Sequence, residues 1–390
     1  MPASLMLLLA AAAFEAAACV HYQSPMLGAI AREYGVNAAA AGWIATLTFA
    51  GYLSGMALIV PLGDRLDKRT VILAQSVGLL AATLAMALAP SLAVAAAVSY
   101  VIGVCACLTQ TVIPVVVELS PASGRGRVVG TLLSALFMGI LFGRLTGGFI
   151  ADHFGWRWTY VMAALLMAAL APALALRLPR MPAKTSLSYF ALIHSVIRLV
   201  HTYPELRRSS AIQFFLGICY GGFWATIAPM LSLLHGLGAT EAGLIGIPGA
   251  SGILISRTAG RWMDRRGPFP VVTTATCLVV AAFLLMQAAE WSVWIIILGA
   301  VLLDFGLRGA MVANQTLINT IAPDARSRAS TVFGAHVWGG NAIGAFLVST
   351  ALAFSGWGLA CSLALASAAC ALLLQLKGGP RKLPARNPGR

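Results

Sequence analysis

The stretch VPLGDRLDKR at residues 60–69 separates two long apolar runs, and GRWMDRRG at residues 260–267 repeats its Asp-Arg pair 200 residues later. Two further landmarks recur at a spacing of 201 residues: Arg125/Arg127 with Arg326/Arg328, and Gly155–Trp156 with Gly356–Trp357. Three landmarks that stay in register across different loops indicate a duplicated unit. The chain is therefore expected to consist of two similar halves.

Composition indicates that the solvent of this protein is a lipid bilayer. Of its 390 residues, 59% are hydrophobic and 10% are charged, whereas soluble domains have about 45–50% and about 25%. The net charge of +14 comes from Lys and Arg in the breaks between apolar runs. These residues form no basic groove with interleaved aromatics, which argues against nucleic acid as a partner.

The seven cysteines all fall inside apolar runs, so buried thiols are expected rather than disulfides. No grouping of residues predicts a metal site or a cofactor.

A bilayer core about 30 Å thick requires about 20 apolar residues for each crossing helix. Twelve such spans are predicted: 5–27, 43–63, 71–89, 93–118, 128–151, 158–177, 209–233, 241–261, 270–289, 292–318, 330–354 and 357–376. With the duplication, they predict an all-α integral membrane protein of twelve transmembrane helices in two six-helix pseudo-symmetric halves. Such an architecture is typical of transporters that bind their substrate between the halves near mid-membrane.

The predicted domain order is an N-terminal six-helix half at 1–178, a linker at 179–208, a C-terminal half at 209–376 and a basic tail at 377–390. Apolar residues at helical spacing over 187–200 predict an amphipathic helix that lies on the membrane surface. A plain linker is the alternative.

Sidedness follows from the distribution of Lys and Arg among the breaks. Alternate breaks carry nearly all of them, and only Arg32 and Arg157 fall on the other side. The positive-inside rule then places both termini in the cytoplasm of a bacterial-type inner membrane. A multi-pass protein of this kind is expected to be a monomer in the bilayer.

The loop at 60–69 resembles the cytoplasmic signature of the major facilitator superfamily, and the loop at 260–267 resembles its second-half counterpart. The sequence GILFGRLTGGFIADHFGW at 139–156 resembles the fifth-helix motif of the drug/proton antiporter branch. HYQSPML at 21–27 is similar to a stretch of arabinose-efflux-like bacterial exporters, as are ANQTLI at 313–318 and PDARSRASTVFG at 323–334. This resemblance implies the major facilitator fold and a transporter rather than an enzyme.

The chain departs from these motifs at three positions. Val60 and Asp67 stand where the loop signature has glycine, and Arg144 stands where the fifth-helix motif has proline. Gating and antiport are therefore expected to differ in detail from the pattern of the branch.

The resemblance implies that the two loops act as a latch that closes the cytoplasmic side. The predicted gating residues are Asp64, Arg65, Arg69, Asp264 and Arg265. Turns whose charges only fix the topology are the alternative. Glycines of the fifth helix are predicted to allow close helix packing or to act as a hinge: Gly139, Gly143, Gly147 and Gly148.

Four charged residues lie well away from the ends of their apolar spans, namely Glu15, Arg144, Asp304 and Arg308, and Glu118 lies at the cytoplasmic end of its span. Inserting a charged side chain at the centre of a membrane helix costs about 2.5–3.5 kcal/mol. Each of these residues is therefore expected to pair with another charge, to face a water-filled cavity or to have a function. Glu15 and Asp304 are predicted to couple transport to protons, and Arg144 and Arg308 to pair with them or to bind a substrate anion. The alternatives are a static Glu15–Arg144 ion pair and a static i,i+4 pair of Asp304 with Arg308.

Polar and aromatic side chains within the spans are predicted to line a central cavity. These are His21, Tyr22, Gln23, Gln110, Tyr220, Trp224, Asn314, Gln315, His336, Trp338 and Asn341.

No P-loop and no hydrolase motif occurs in the sequence. An ion gradient is therefore the expected energy source, and the partners are a small-molecule substrate and protons. The sequence predicts proton-coupled efflux of a small organic solute by alternating access. Proton-coupled uptake of a small, anionic metabolite is the alternative, and an integral-membrane enzyme or a transport-inactive sensor is a remote one.

Overall fold

The structure is a computed structural model that describes residues 2–121, 125–182, 198–250, 262–263, 265–321 and 326–379. These residues form helices joined by short turns, with no β-strand among them. The helices are α1 (Ala3–His21), α2 (Gln23–Tyr34), α3 (Ala38–Leu58), α4 (Leu62–Arg65), α5 (Lys68–Ala87), α6 (Leu92–Ala106), α7 (Leu108–Glu118), α8 (Arg125–His153), α9 (Trp156–Arg177), α10 (Pro204–His235), α11 (Ala239–Leu244), α12 (Gly246–Ala250), α13 (Pro268–Met286), α14 (Val293–Ile321) and α15 (Arg326–Lys377).

Ten of the described helical stretches are long and apolar enough to cross a membrane. One of them, α15, is interrupted at Ser355 and Gly356, where Gly356 has a φ of 74°, so it supplies two crossings. Helices α11 and α12 occupy the first part of the predicted span 241–261, of which residues 251–261 lie outside the described residues. The twelve crossings expected from the sequence fit this arrangement.

Short polar residues fix where several helices begin. The side chains of Asn37, Asp67 and Ser91 accept hydrogen bonds from the first-turn backbone N–H groups of α3, α5 and α6, which satisfies donors that the helix itself leaves unpaired. The transmembrane segments thus start at defined positions near the membrane surface.

The two halves repeat the same packing. In the first half α1 packs on α8, α3 on α6 and α5 on α9. In the second half α10 packs on α15, α12 on α14 and α13 on α15. Glycines allow close approach at both equivalent contacts: a Cβ at Gly139 would lie 2.1 Å from the Phe14 carbonyl oxygen, and one at Gly344 would lie 2.1 Å from the Ile218 carbonyl oxygen.

The halves meet mainly where α3 packs on α15 and α8 packs on α11, and α2 also contacts α10 and α11. The start of α1 and the ends of α3, α7 and α15 lie at one end of the bundle, which we call the basic side. The other end, where α2 and α10 finish, is the opposite side.

Several predictions of the sequence need correction. The first crossing was expected to end at residue 27, but it continues to Tyr34 because the polar Gln23 and Ser24 are buried and the helix runs on after a break at Tyr22. Helix α10 begins at Pro204, inside the predicted linker. Two cysteines expected to be buried, Cys277 and Cys370, are exposed, because an apolar helix face in a membrane protein can face lipid.

Most of the predicted surface helix lies outside the described residues, as does the tail from residue 380. Residues 198–202 are helical, and Leu199 packs with Leu206 and Phe333 of the second half.

Candidate functional site

A cavity of about 680 Å³ lies between the two halves on the basic side. The first half contributes Met56, Lys68, Gln110, Ile113 and Glu118, and the second half contributes Met311, Gln315, Phe333, Val337 and Trp338. Lys68 Nζ and Glu118 Oε2 form an ion pair of 2.7 Å on its wall. The ring of Trp338 stacks on Tyr52 of the first half at 3.9 Å between centroids. This cavity is large enough for a small organic molecule.

On the opposite side the halves are in direct contact. The carboxylate of Asp152, at the end of α8, accepts the backbone N–H groups of Ala239 at 3.2 Å and Thr240 at 2.6 Å. A Cβ at Gly148 would lie 2.3 Å from the Ala239 carbonyl oxygen. The end of α8 therefore caps and packs against the start of α11, and a pocket of about 420 Å³ remains on this side between α2, α3 and α10.

Arg144 reaches from the first half into the second. Its side chain is buried, and Nη2 donates to the Tyr220 hydroxyl at 2.7 Å. The guanidinium lies over the ring of Trp224, 3.3 Å from its centroid, a cation–π arrangement that is worth more when it is desolvated. Glycine at position 246 leaves room for the side chain, since a Cβ there would lie 3.3 Å from Arg144 Cδ.

Asp304 and Arg308 form the predicted i,i+4 ion pair on α14, with Nη2 and Oδ1 3.4 Å apart. Asp304 is fully buried and Arg308 is 11% exposed. The guanidinium of Arg308 lies 4.8 Å from the ring centroid of Phe137 on α8. Both Arg144 and Arg308 interact electrostatically with His21, and Arg144 also interacts with Asp304. We call Arg144, Asp304 and Arg308 the interface cluster.

Several buried polar atoms of this cluster have no hydrogen-bond partner, namely Arg144 Nε, Arg308 Nε, Asp304 Oδ2 and the nearby Trp224 Nε1, and Asp304 Oδ1 has only the 3.4 Å ion-pair contact with Arg308. Buried polar groups are normally satisfied. The cluster therefore has hydrogen-bonding capacity that the described side chains do not fill.

Glu15 is not part of the interface cluster. Its carboxylate accepts the Tyr22 hydroxyl at 3.1 Å and the Cys19 thiol at 3.5 Å, both from the same face of the first crossing. Tyr22 in turn contacts Tyr160 of α9 edge-on. The structure shows no ion pair of Glu15 with Arg144, whose guanidinium is held by Tyr220 and Trp224. A static ion pair of Glu15 with Arg144 was one alternative from the sequence. In the structure the two side chains have different partners.

The predicted cavity-lining residues fall into three groups. Gln110, Gln315 and Trp338 line the cavity. Tyr220 and Trp224 hold Arg144, and His21 lies near it with Nδ1 2.8 Å from the Ala17 carbonyl oxygen. The remaining residues pack within a half: Tyr22 on Glu15, Gln23 on the Val20 carbonyl, His336 on the Val332 carbonyl, Asn341 against Gly221, and Asn314 buried in α14.

Among the described side chains, the predicted gating residues Arg65, Arg69 and Arg265 form no contact that bridges the halves. Arg65 and Arg265 are exposed. Arg69 donates to the Ala175 carbonyl oxygen of its own half at 2.6 Å. The side chains of Asp64 and Asp264 lie outside the described residues, so the latch stays a prediction for the state that is closed on the basic side.

The predicted glycine ridge lies at two contacts. Gly139, Gly143 and Gly147 face the backbone of the first crossing, whereas Gly148 faces α11 of the other half.

Sequence reasoning missed Asp152, Lys68 and Phe137. Asp152 and Lys68 lie at span ends, where a charge is unremarkable, and nothing in the sequence distinguishes Phe137 from other apolar residues.

Comparison with known proteins gives a consistent result. A family model described as Major Facilitator Superfamily matches residues 5–288 and 210–390. A transporter of Escherichia coli O157:H7, YgaY, described as uncharacterized, is 30% identical over 371 residues, which cover 95% of this chain and 93% of that protein. The multidrug resistance protein B homolog of Mycobacterium tuberculosis H37Rv is 23% identical over 389 residues, with 83% and 71% covered.

The crystal structure of a D-xylose-proton symporter is similar in fold. Its TM-score is 0.76 at 16% identity, over 97% of this chain and 98% of that one.

Proposed function

The chain belongs to the Major Facilitator Superfamily, and we propose that it exports a small organic solute in exchange for protons. Its family and relatives are transporters rather than enzymes. The observation that carries the proposal is a cavity of about 680 Å³ between the halves on the basic side, with buried charges from both halves on α8 and further along α14.

Alternating access is supported by the different states of the two ends. On the opposite side Asp152 and Gly148 hold α8 against Ala239 of α11, while the basic side holds the larger cavity. By the positive-inside rule the basic side is cytoplasmic, so this conformation is inward-open. Rocking of one half against the other then closes the basic side and exposes the same site outward.

Proton coupling is supported by two buried carboxyl groups, Glu15 and Asp304. In the exchange cycle, the inward-open protein releases a proton to the cytoplasm and takes up its solute. The outward-open protein releases the solute and takes up a proton. Export, rather than uptake, is supported by the relation to a multidrug resistance protein B homolog.

The test is proton exchange in proteoliposomes that contain a pH-sensitive dye. Solutes that are effluxed by cells carrying the gene, found with a resistance panel and metabolite profiling, are loaded inside and an inward proton gradient is imposed. We expect solute efflux together with proton entry, and loss of gradient dependence in Glu15→Gln or Asp304→Asn. Glu290→Gln, which removes an exposed carboxylate, is the matched control.

If solute and protons move in the same direction, the protein is a symporter and the proposal of export is wrong. Solute movement without any proton movement would overturn the coupling.

A further inference from the structure

The charges of the interface cluster do not balance. The cluster holds two guanidinium cations, Arg144 and Arg308, and Asp304 is the one carboxylate beside them among the described residues. Glu15 accepts hydrogen bonds from Tyr22 and Cys19 instead. The cluster therefore carries at least one excess positive charge in a buried setting, which is costly without a counterion.

The two guanidinium groups also have unused donors. Arg144 uses Nη2 on Tyr220, and its Nε has no partner. Arg308 contacts Asp304 at 3.4 Å, a long ion pair, and its Nε has no partner either. A guanidinium presents its donors in a planar fork that matches a carboxylate. The hydrogen-bond donors that remain on the two guanidinium groups are therefore suited to a carboxylate.

The cluster is connected to the cavity along one face of α14. Asp304, Arg308, Met311 and Gln315 follow each other at spacings of four, three and four residues, which places them in one stripe of a helix. Met311 and Gln315 line the cavity, and Arg308 is the partly exposed member of the pair. A solute that enters from the basic side thus meets Arg308 next.

Aromatic rings surround the charges. Trp224 lies under Arg144 and Phe137 lies beside Arg308, and Trp338 stands in the cavity wall. These rings provide apolar surface for the body of a solute whose charged group reaches the arginines.

We propose that the interface cluster binds an organic monocarboxylate with a planar apolar body. This inference rests on the proposed transport function and specifies its substrate class. The carboxylate of the solute accepts hydrogen bonds from Arg308 and Arg144 and neutralises the excess charge. Asp304 holds the arginines in place before the solute arrives and competes with it for them. A cationic solute is rejected because it would add to the excess charge.

Binding is tested on the purified protein in detergent with three probes of similar shape: benzoate, neutral benzamide and cationic benzamidine. Titration calorimetry and the shift in thermal unfolding are measured. We expect benzoate to bind and the other two to bind at least about tenfold more weakly. Arg308→Gln and Arg144→Gln weaken benzoate binding at least about tenfold, and Arg180→Gln, at an exposed site, leaves it unchanged.

The variant Asp304→Asn distinguishes a solute-binding site from a static ion pair of Asp304 with Arg308. If Asp304 competes with the solute, this variant binds benzoate more tightly than the native protein does. Arg308→Lys keeps the positive charge without the fork and is expected to lose most of the affinity, which excludes misfolding as the cause when its unfolding temperature is native.

Preference for benzamidine, weaker benzoate binding in Asp304→Asn, or unchanged binding in Arg308→Gln would overturn the proposal. The measurement needs no membrane gradient, so it can fail while proton exchange in vesicles succeeds, and the reverse.

Discussion

Glu15 and Asp304 are both buried carboxyl groups inside apolar helices, yet their surroundings differ. Glu15 is enclosed within the first half, where Tyr22 and Cys19 donate to it. Asp304 lies where the halves meet, beside arginines from both of them. A rocking motion leaves the contacts of Glu15 intact and changes those of Asp304. The first site is thus suited to bind and release the coupling proton, and the second to sense the solute and the position of the halves.

The largest expected effect comes from removing the contact of Arg144 with the second half. In Arg144→Gln the hydrogen bond to Tyr220 and the stacking on Trp224 are lost, so we expect solute exchange to fall about 100-fold. Initial rates of exchange in proteoliposomes measure this. Loss of exchange in Arg180→Gln as well would show that general loss of positive charge, not the cluster, is responsible.

A smaller effect is expected at the opposite side. Asp152→Ala removes two hydrogen bonds to a charged acceptor, each worth about 1.5–3 kcal/mol, and should shift the population toward the outward-open state at least tenfold. Spin labels at Arg65→Cys and Arg265→Cys, both exposed on the basic side, report the change as a shorter distance between the halves. The labels are introduced after the exposed Cys277 and Cys370 are replaced by serine.

Asp152→Asn keeps an acceptor oxygen and is the matched variant with an intermediate shift. An unchanged distance distribution in Asp152→Ala would contradict a closing role for this contact.

Gly148→Ala should act in the same direction by steric means. The added methyl group would lie 2.3 Å from the Ala239 carbonyl oxygen, and such overpacking costs about 1–3 kcal/mol. Because two backbones would have to separate, the same labels should report partial closure of the basic side. Gly130→Ala on the same helix meets nothing within 4 Å and should leave the distances as they are.

The buried charges were predictable because a charged residue stands out in an apolar span, and the glycine ridge and the ion pair of Asp304 with Arg308 follow from spacing along one helix. The partner of Arg144 was not predictable, because Tyr220 is 76 residues away and belongs to the other half. Which part of the bundle the side chain of Glu15 contacts was also not predictable, for a different reason. Helix α1 is apolar on nearly every face, so periodicity does not indicate which face meets the second half.

The most direct test separates the two carboxyl sites in a single vesicle experiment. Solute–solute exchange at equal pH requires the interface cluster but no net proton movement, whereas accumulation driven by a pH gradient requires both sites. The account predicts that Glu15→Gln keeps exchange within about twofold of native and loses gradient-driven transport, while Arg308→Gln loses both. Equal loss of exchange in the two variants would contradict the separation of a proton site within one half from a solute site between the halves.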